Sequence, residues 1–326
     1  MKTSLIIPTY NEEKSIKRLM ESVFNQTVLP DEIIIVDSKS KDKTIDIIKS
    51  FKSKKIKIIS KKTNISEARN LAIKNSKHSY ILATDGGCVL DKKWVESMKK
   101  AFNNGKVDYV MGNFKPIKSK GLIKNAIGLV SLQSEKRLGR DPYLASTRSI
   151  GFKKEVWKKT KGFPENLYTG EDTKFNLKVK EMGFKAFFAK NAIVYWEPRT
   201  SLKRFLKQFY LYGKGDGKSR NIVKIKDRLL VFLTYLTFHL LFLLGILLYM
   251  PLFWASLGGY IIINFIDSWR YLRRIENPLY KSLNIVPVMF FIYLKRVSYS
   301  FGALIGIFKN ETRLAKKKNK KNSTRD

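Results

Sequence analysis

The chain has 326 residues, enough for one large or two modest domains, and its single cysteine, Cys88, excludes an intramolecular disulfide and fits a reducing compartment. Lys and Arg number 64 against 27 Asp and Glu, and the resulting net charge of +37 indicates an anionic partner: membrane phospholipid, nucleotide phosphate or nucleic acid. Because lysine is spread along the whole length, a compositional bias of the source proteome is an equally open explanation for part of this charge.

The first third of the chain alternates short apolar runs with segments of helical periodicity. Residues 3–9 and 32–37 are isoleucine-rich, which is typical of parallel strands buried on both faces. Between them, apolar side chains recur at helical spacing: Ile16, Leu19, Met20, Val23 and Phe24. The alternation continues with helices over residues 42–51 and 66–76 and with strands over residues 55–60 and 80–84. This order predicts an α/β fold with a mostly parallel sheet flanked by helices.

Polar residues follow three of these predicted strands. They are Pro8, Thr9, Tyr10 and Asn11 after the first, Asp37, Ser38 and Ser40 after the second, and Asp85 after the strand ending at Thr84. Ligands of parallel α/β sheets bind beyond the carboxyl ends of the strands, so we expect these loops to form one crevice suited to a nucleotide. The alternative is that Asp37 and Ser40 are ordinary turn residues that cap the next helix.

Five segments, in this order and spacing, resemble the family 2 glycosyltransferases of the GT-A fold over roughly residues 1–220. They are "SLIIPTYNE", "IIIVDSKSKDKT", "ISEARNLAIKNS", "YILATDGG" and "TGEDTKFNLKVKEMGF". The resemblance implies nucleotide-sugar binding by residues of the first two loops and of the Asp85 loop: Pro8, Thr9, Tyr10, Glu12, Asp37, Ser40, Asp85 and Gly86. It also implies that Arg69, in the "ARN" segment, contacts the diphosphate. A solvated helix arginine is the alternative.

The segment "TDGG" departs from the family pattern. Relatives usually carry Asp, any residue, Asp at this point and bind a divalent cation, Mg²⁺ or Mn²⁺, across the diphosphate. Here Asp85 is followed by Gly86 and Gly87, so the resemblance implies a cation at Asp85 without a second carboxylate from this motif. Similar sequences with "TDAG" or "TDGG" form a subgroup of the family, and a damaged, inactive site is the alternative. Glu197 is a further candidate metal ligand, against the simpler explanation of an exposed charge before Pro198.

The "ED" pair Glu171 and Asp172 stands at the start of a predicted helix, where carboxylates commonly act as caps. In the family this pair supplies the catalytic base, so the resemblance assigns the base to Asp172 and a role in shaping the acceptor pocket to Glu171. Downstream candidates for contact with the diphosphate or acceptor are Gln208, Tyr212 and Lys214. The stretch that holds them is amphipathic, so it is also expected to suit a membrane surface, with Phe205, Leu206, Phe209 and Tyr210 towards the lipid.

Apolar segments dominate the chain after residue 228. Residues 229–250 lack a formal charge and are long enough to cross a bilayer, and residues 252–268 are expected to return across it. The basic stretch that follows is expected in the cytosol by the positive-inside rule. Residues 285–308 form an interfacial or transmembrane segment, and we favour the interfacial interpretation because crossing would place the lysine-rich tail outside.

These segments predict three regions. A cytosolic GT-A domain spans residues 1–220, a membrane region spans residues 221–308, and a basic cytosolic tail spans residues 309–326. The N-terminal apolar run is too short for a signal peptide, so we expect a multi-pass protein of the cell membrane with a cytoplasmic catalytic domain.

The combined expectation is an inverting glycosyltransferase that moves a sugar from a nucleotide-diphosphate sugar to a lipid-linked or cell-surface glycan, in polysaccharide biosynthesis or protein glycosylation. One alternative is transfer directly to a polyprenyl phosphate, as in synthases of the dolichyl-phosphate-sugar type. A catalytically inactive membrane scaffold is another. A nucleic-acid-binding membrane protein would also explain the charge, but the sequence shows no nucleic-acid recognition motif.

Overall fold

A computed structural model describes residues 1–103, 107–117, 121–131, 138, 139, 141, 143, 146–198, 201–273 and 285–322. The chain divides into two compact units. The first unit comprises Met1–Ile117 and Leu132–Glu197, and the second unit comprises Lys118–Ser131 and Pro198–Asp326. This division assigns the residues after Glu197 to the second unit, and the domain boundary at residue 220 stays a prediction.

The first unit is built on an eight-stranded sheet with the order β3-β2-β1-β4-β7-β6-β8-β5. Strands β1 to β4 pair in parallel, as do β6 and β8, whereas β7 is antiparallel to both its neighbours and β5 is antiparallel to β8. The strands are β1 (Thr3–Thr9), β2 (Glu32–Asp37), β3 (Ile56–Ser60), β4 (Tyr80–Ala83), β5 (Cys88–Leu90), β6 (Tyr109–Pro116), β7 (Ile150–Lys153) and β8 (Ala186–Trp196). The expected mostly parallel sheet is confirmed.

Helices cover both faces of this sheet, which explains why β1 and β2 are apolar without alternation. Leu5 and Ile7 of β1 pack in a cluster with residues of α1 and α4, while Ile6 packs on the opposite face with residues of α3 and α7. The helices of this unit are α1 (Ile16–Phe24), α2 (Thr44–Lys49), α3 (Ile65–Lys74), α4 (Trp94–Asn103), α6 (Lys154–Lys159) and α7 (Glu171–Glu181).

Strand register brings the loops of interest to one edge of the sheet. Thr9, the last residue of β1, lies opposite Asp37, the last residue of β2. On the other side of β1, Ile6 pairs with Ala83 at the end of β4. The loops that follow β1, β2 and β4 therefore leave the sheet side by side.

The second unit is helical in its described part. Its helices are α5 (Leu122–Val130), α8 (Leu202–Ser219), α9 (Asn221–Lys224), α10 (Lys226–Leu248), α11 (Met250–Arg273) and α12 (Ile285–Asn322). Three segments are long and apolar enough to cross a membrane: Lys226–Leu248, Met250–Tyr271 and Ile285–Lys309. They overlap the three segments expected from the sequence.

Helix α8 differs from one of the expectations. An amphipathic helix lying on lipid would expose Phe205 and Phe209, but both side chains are buried inside the second unit. The Phe205 ring packs edge-on against Phe291 of α12, with ring centroids 5.4 Å apart. This apolar face of α8 is therefore covered by protein.

Candidate active site

Backbone-to-side-chain hydrogen bonds join the loops that follow β1 and β2. The Asn11 amide donates to Ser40 Oγ at 2.9 Å, and the Lys41 amide donates to Asn11 Oδ1 at 2.9 Å. The Glu12 amide donates to Thr44 Oγ1 at 2.8 Å. Asn11 has φ 53°, a left-handed conformation that asparagine tolerates better than most residues. The two loops therefore form one rigid wall.

Asp37 lies at the centre of this wall and is buried. Its Oδ2 accepts from the Ser40 amide at 2.9 Å, and its Oδ1 accepts from Thr9 Oγ1 at 3.4 Å. The hydrogen bond between Asp37 and Ser40 that is expected of ordinary turn residues is thus present, and it holds the Asp37 carboxylate beside β1. Tyr10, by contrast, is 55% exposed at the end of β1, so its ring offers a free face for stacking.

The Asp85 loop packs against the β1 loop, and Gly86 lies at the contact. A Cβ on Gly86 would lie 3.0 Å from Glu12 Cγ, 3.3 Å from Thr9 Cγ2 and 3.4 Å from the Pro8 carbonyl oxygen. A side chain at this position would therefore require the Glu12 and Thr9 side chains to shift by a few tenths of an ångström. A Cβ on Gly87 would lie 3.6 Å from Glu12 Oε2, so the Glu12 carboxylate stands beside the position where relatives carry their second aspartate.

Arg69 joins the Asp85 loop to the start of α7. Its Nη2 donates to Asp85 Oδ1 at 2.8 Å, and its Nη1 donates to Glu171 Oε1 at 2.9 Å. The side chain is buried and its guanidinium carbon lies 5.5 Å from the centre of the Phe163 ring. Arg69 is therefore not a solvated helix arginine. Its expected contact with a diphosphate stays a prediction.

Glu171 and Asp172 occupy the first turn of α7, after Gly170 at φ 76°. Burial and the neighbouring charge of Asp172 together raise the pKa of the Glu171 carboxyl to about 7, against the opposing charge of Arg69. Asp172 Oδ1 accepts from the Thr173 amide at 2.6 Å. Asp172 also lies close enough to Arg69 to contribute to the raised pKa of that guanidinium.

These contacts connect the three carboxylates expected to share a crevice. Asp37 contacts Thr9, and the Thr9 side chain lies against Gly86, the residue after Asp85. Asp85 and Glu171, which precedes Asp172, both pair with Arg69. The chain of contacts runs from β2 through β1 and β4 to α7 within the first unit. The roles of the individual residues stay predictions.

Arg148 is a cation near the Asp85 loop, and the sequence did not single it out as a site residue. Its guanidinium carbon lies 5.0 Å from the Trp196 ring centre and 5.6 Å from the Phe114 ring centre. Burial and the charge of Asp85 raise the pKa of the Cys88 thiol to about 12, and the nearby charge of Arg148 opposes this rise. The Cys88 amide in turn donates to the Asp85 carbonyl at 3.1 Å. No motif around Arg148 signals this placement, because β5, β6 and β8 position it through contacts distant in sequence.

The remaining candidates are Glu197, which follows the register partner of Cys88 in β8, and three residues of α8 in the second unit. Glu197 pairs with Arg18 at 3.2 Å, with both side chains about half exposed, so the structure shows it as a surface ion pair. Gln208 and Tyr212 belong to the second unit, where Gln208 Nε2 donates to the Tyr212 hydroxyl at 2.9 Å. Lys214 of the same helix lies 5.8 Å from the Tyr210 ring centre. The expected roles of these residues stay predictions.

The donor set at the Asp85 loop suits a hard cation in part. Among the described residues, no group of three or more His, Cys, Asp or Glu side chains is arranged so that it could hold a metal ion. Asp85 offers one carboxylate, a quarter exposed and paired with Arg69, and the Glu12 carboxylate stands beside Gly87. Oxygen ligands of this kind fit Mg²⁺ or Mn²⁺ when the substrate phosphate and water supply the other ligands.

Comparison with known proteins shows which family and which characterised proteins this chain is similar to. Residues 4–159 match the family described as Glycosyl transferase family 2. The chain is 28% identical over 325 residues to the dolichyl N-acetyl-alpha-D-glucosaminyl phosphate 3-beta-D-2,3-diacetamido-2,3-dideoxy-beta-D-glucuronosyltransferase of Methanococcus voltae, covering 91% of this chain and 95% of that protein. It is 26% identical to the O-antigen chain rhamnosyltransferase RfbN of Salmonella typhimurium, covering 63% of this chain and 70% of the relative.

Solved structures share the fold. The mannosyltransferase PcManGT from Pyrobaculum calidifontis, in complex with GDP-Man and Mn²⁺, superposes with a TM-score of 0.59 at 14% identity, covering 93% of this chain and 87% of that chain. TarS residues 1–349 from S. aureus, in complex with UDP-GlcNAc, superposes with a TM-score of 0.52 at 18% identity, covering 93% and 90% respectively.

Proposed function

We propose, from the premise that this chain is a glycosyltransferase with a family 2 domain over residues 4–159, that it is an inverting enzyme. It transfers a sugar from a nucleotide-diphosphate sugar to a lipid-linked or cell-surface glycan. The observation that carries the proposal is the pairing of Arg69 with Asp85 and Glu171, which places the donor-side loop and the acid pair of α7 around one point.

The nucleotide half of the donor is bound by the wall formed after β1 and β2. Tyr10 stacks on the base, and Asp37 with Ser40 and Thr9 accepts and donates hydrogen bonds at the base or ribose edge. The backbone at Pro8 and Gly86 allows close approach of the diphosphate. Glu12 lines the same wall.

Asp172 acts as the general base. It accepts the proton of the acceptor hydroxyl while that oxygen attacks the anomeric carbon, and the bond from this carbon to the nucleotide diphosphate breaks on the opposite face. Inversion follows from this single displacement. Glu171 shapes the acceptor side and holds Arg69 in place.

Negative charge develops on the leaving diphosphate and needs a positive partner. Asp85, with Glu12 beside it, would hold a divalent cation, which supplies charge stabilisation to the phosphate oxygens when bound. Arg148, placed near the Asp85 loop, adds a fixed positive charge to this side of the site.

The membrane helices and the relatives support a lipid-linked acceptor. The relative from Methanococcus voltae is named for a dolichyl phosphate-linked substrate, and it aligns over nearly its whole length. We place the catalytic unit in the cytosol, since the basic stretch after α11 favours that side. Direct transfer to a polyprenyl phosphate is the alternative acceptor chemistry.

Glu171 gives the reaction an expected pH dependence. Its raised pKa means that it is neutral below about pH 7 and ionised above it. Ionisation places a second negative charge beside Asp172 and strengthens Asp172 as a proton acceptor. We therefore expect kcat to rise as the pH passes about 7 and expect Glu171→Gln to remove that step. Measuring kcat from roughly pH 5 to roughly pH 9 for both proteins checks this, and a step that survives in the variant would contradict it.

A ligand screen followed by a transfer assay tests the proposed function. The full chain in detergent is heated with UDP-, GDP- and other nucleotide sugars, and the true donor is expected to raise the Tm because it binds the native state. That donor, radiolabelled, is then incubated with host lipid extract and with polyprenyl phosphate. Label in glycolipid supports the proposal, and label on polyprenyl phosphate alone supports the alternative. A Tm rise without transfer or hydrolysis would indicate an inactive scaffold.

A further inference from the structure

Helices α8 and α12 are in direct backbone contact through two pairs of glycines. A Cβ on Gly213 would overlap the Tyr299 carbonyl, and a Cβ on Gly302 would overlap the Tyr210 carbonyl. Gly217 and Gly306, four residues further along each helix, meet the partner backbone in the same way. Small residues at this spacing allow two helices to approach closely, so α8 and α12 form one layer over this length.

A buried polar cluster reinforces the contact. Asp216 of α8 is 3% exposed, and its Oδ2 accepts from the Tyr299 hydroxyl of α12 at 2.6 Å and from Arg228 Nη1 of α10 at 2.6 Å. Breaking this cluster would leave a buried carboxylate without partners, which is costly. The position of α8 along α12 is therefore fixed.

Helix α8 does not suit the hydrocarbon core of a bilayer. It carries five cationic side chains within 18 residues: Lys203, Arg204, Lys207, Lys214 and Lys218. A cationic side chain is costly at the centre of a membrane. Since α12 lies against α8 from Tyr299 to Gly306, this part of α12 shares the depth of α8 and lies outside the core.

Contacts of α12 with the hairpin of α10 and α11 agree with that depth. Arg296, near the middle of the apolar segment Ile285–Lys309, pairs with Asp267 close to the end of α11 at 3.4 Å. Ala303 packs with Phe232, close to the start of α10. If α12 crossed the bilayer, its middle residues would contact the middle of α10 and α11 rather than their ends. Only the part of α12 before Arg296 lies deeper, where the Tyr293 ring lies 5.5 Å from the Tyr260 ring.

The outer face of α12 is apolar. Four exposed residues recur at helical spacing: Val286, Phe290, Phe301 and Phe308. Beside this stripe, α8 exposes Lys203, Arg204 and Lys207. An apolar stripe flanked by cations matches the surface of an anionic lipid monolayer, with acyl chains under the stripe and headgroups at the cations.

We propose that α12 lies along the membrane interface together with α8, that this two-helix surface binds anionic lipid headgroups, and that α10 and α11 alone cross the bilayer. The start of α10 and the end of the apolar segment of α12 then lie on the same side of the membrane. The proposal rests on contacts within the second unit and does not depend on the reaction proposed for the first.

Cysteine labelling tests the side of the membrane on which the apolar segment of α12 ends. A single cysteine at Lys309, an exposed position outside the apolar stripe, is introduced on a Cys88→Ala background. It is treated with a membrane-impermeant maleimide in sealed vesicles of both orientations. We expect it to react from the side that labels Lys2→Cys, with Tyr249→Cys reacting from the other. Lys309→Cys reacting from the side of Tyr249→Cys would overturn the proposal.

A lipid experiment tests the partner. A bimane label on Phe301→Cys is quenched by brominated lipid in vesicles with and without phosphatidylglycerol, and we expect stronger quenching with the anionic lipid. Replacing Lys203, Arg204 and Lys207 with glutamine should abolish the difference. Replacing the exposed Lys52, Lys54 and Lys62 of the first unit is the charge-matched control and should preserve it. Equal quenching in both lipids, or equal loss in both triple variants, would overturn the anionic-lipid assignment.

Glycine variants test the contact itself. Gly302→Leu should separate α12 from α8 and lower the Tm, whereas Gly258→Leu on α11, which has no atom within 4 Å of its Cβ position, is the matched control. A Tm for Gly302→Leu equal to that of the control would count against the backbone contact from which the depth of α12 is inferred.

Discussion

Replacing Asp172 with asparagine is expected to lower kcat by about 100- to 10,000-fold, the usual contribution of a positioned general base. Asparagine keeps the shape of the side chain but cannot accept the proton of the acceptor hydroxyl. The KM for the nucleotide sugar should change little, because the nucleotide is bound by the loops after β1 and β2. Initial rates of transfer at varied donor concentration separate the two parameters.

A control for this variant comes from another helix. Asp46 also stands in the first turn of a helix, α2, but is exposed. Asp46→Asn should retain wild-type rates, because it removes a first-turn carboxylate without touching the site. Equal rates in Asp172→Asn and wild type would show that Asp172 is not the base and that the resemblance of the "ED" segment misassigns it.

Replacing Arg69 with methionine is expected to lower the free energy of unfolding by about 3 kcal/mol, the lower end of the range for breaking a buried ion pair. At a pH above about 7, where Glu171 is ionised in the wild type, the change leaves Glu171 and the partly buried Asp85 without their shared counter-charge. Thermal unfolding in detergent, followed with and without donor, measures the loss. The donor-induced rise in Tm should also shrink, since Asp85 is no longer held.

Two further variants separate this effect from a general loss of charge. Arg18→Met breaks the half-exposed pair with Glu197, and surface pairs of this kind contribute about 1 kcal/mol or less. Glu171→Gln combined with Arg69→Met should recover part of the lost stability, because the amide needs no counter-charge. A Tm loss in Arg69→Met no larger than in Arg18→Met would contradict the bridging role of Arg69.

The fold was predictable from the sequence because local patterns dictate it. Isoleucine runs such as residues 32–37 are buried on both faces, and the amphipathic helix between β1 and β2 covers one of them. The polar residues that follow each strand had to meet at one edge, since the strands are parallel. Thr9 beside Asp37 and Gly86 beside Thr9 are direct results of that rule.

The rest of the site depends on contacts that join distant parts of the chain. Nothing around Arg69 in the sequence indicates that it pairs with Glu171, which follows 102 residues later. Arg148 is placed by strands whose pairing alternates in direction, so its position near the Asp85 loop has no local signal. The apolar face of α8 fits lipid as well as protein, and the contact of the Phe205 ring with Phe291 of α12 shows that protein covers it.

Asp37, Asp85 and Asp172 are proposed to surround one activated sugar, and donor binding to three single variants shows whether they do. Titration of the nucleotide sugar identified by the thermal screen into Asp37→Asn, Asp85→Asn and Asp172→Asn gives a Kd for each. We expect the Kd to be weakened at least about tenfold, or roughly 1.4 kcal/mol, in the first two variants and to be nearly unchanged in the third, which binds donor without transferring it. Wild-type affinity in both Asp37→Asn and Asp85→Asn would contradict the proposal.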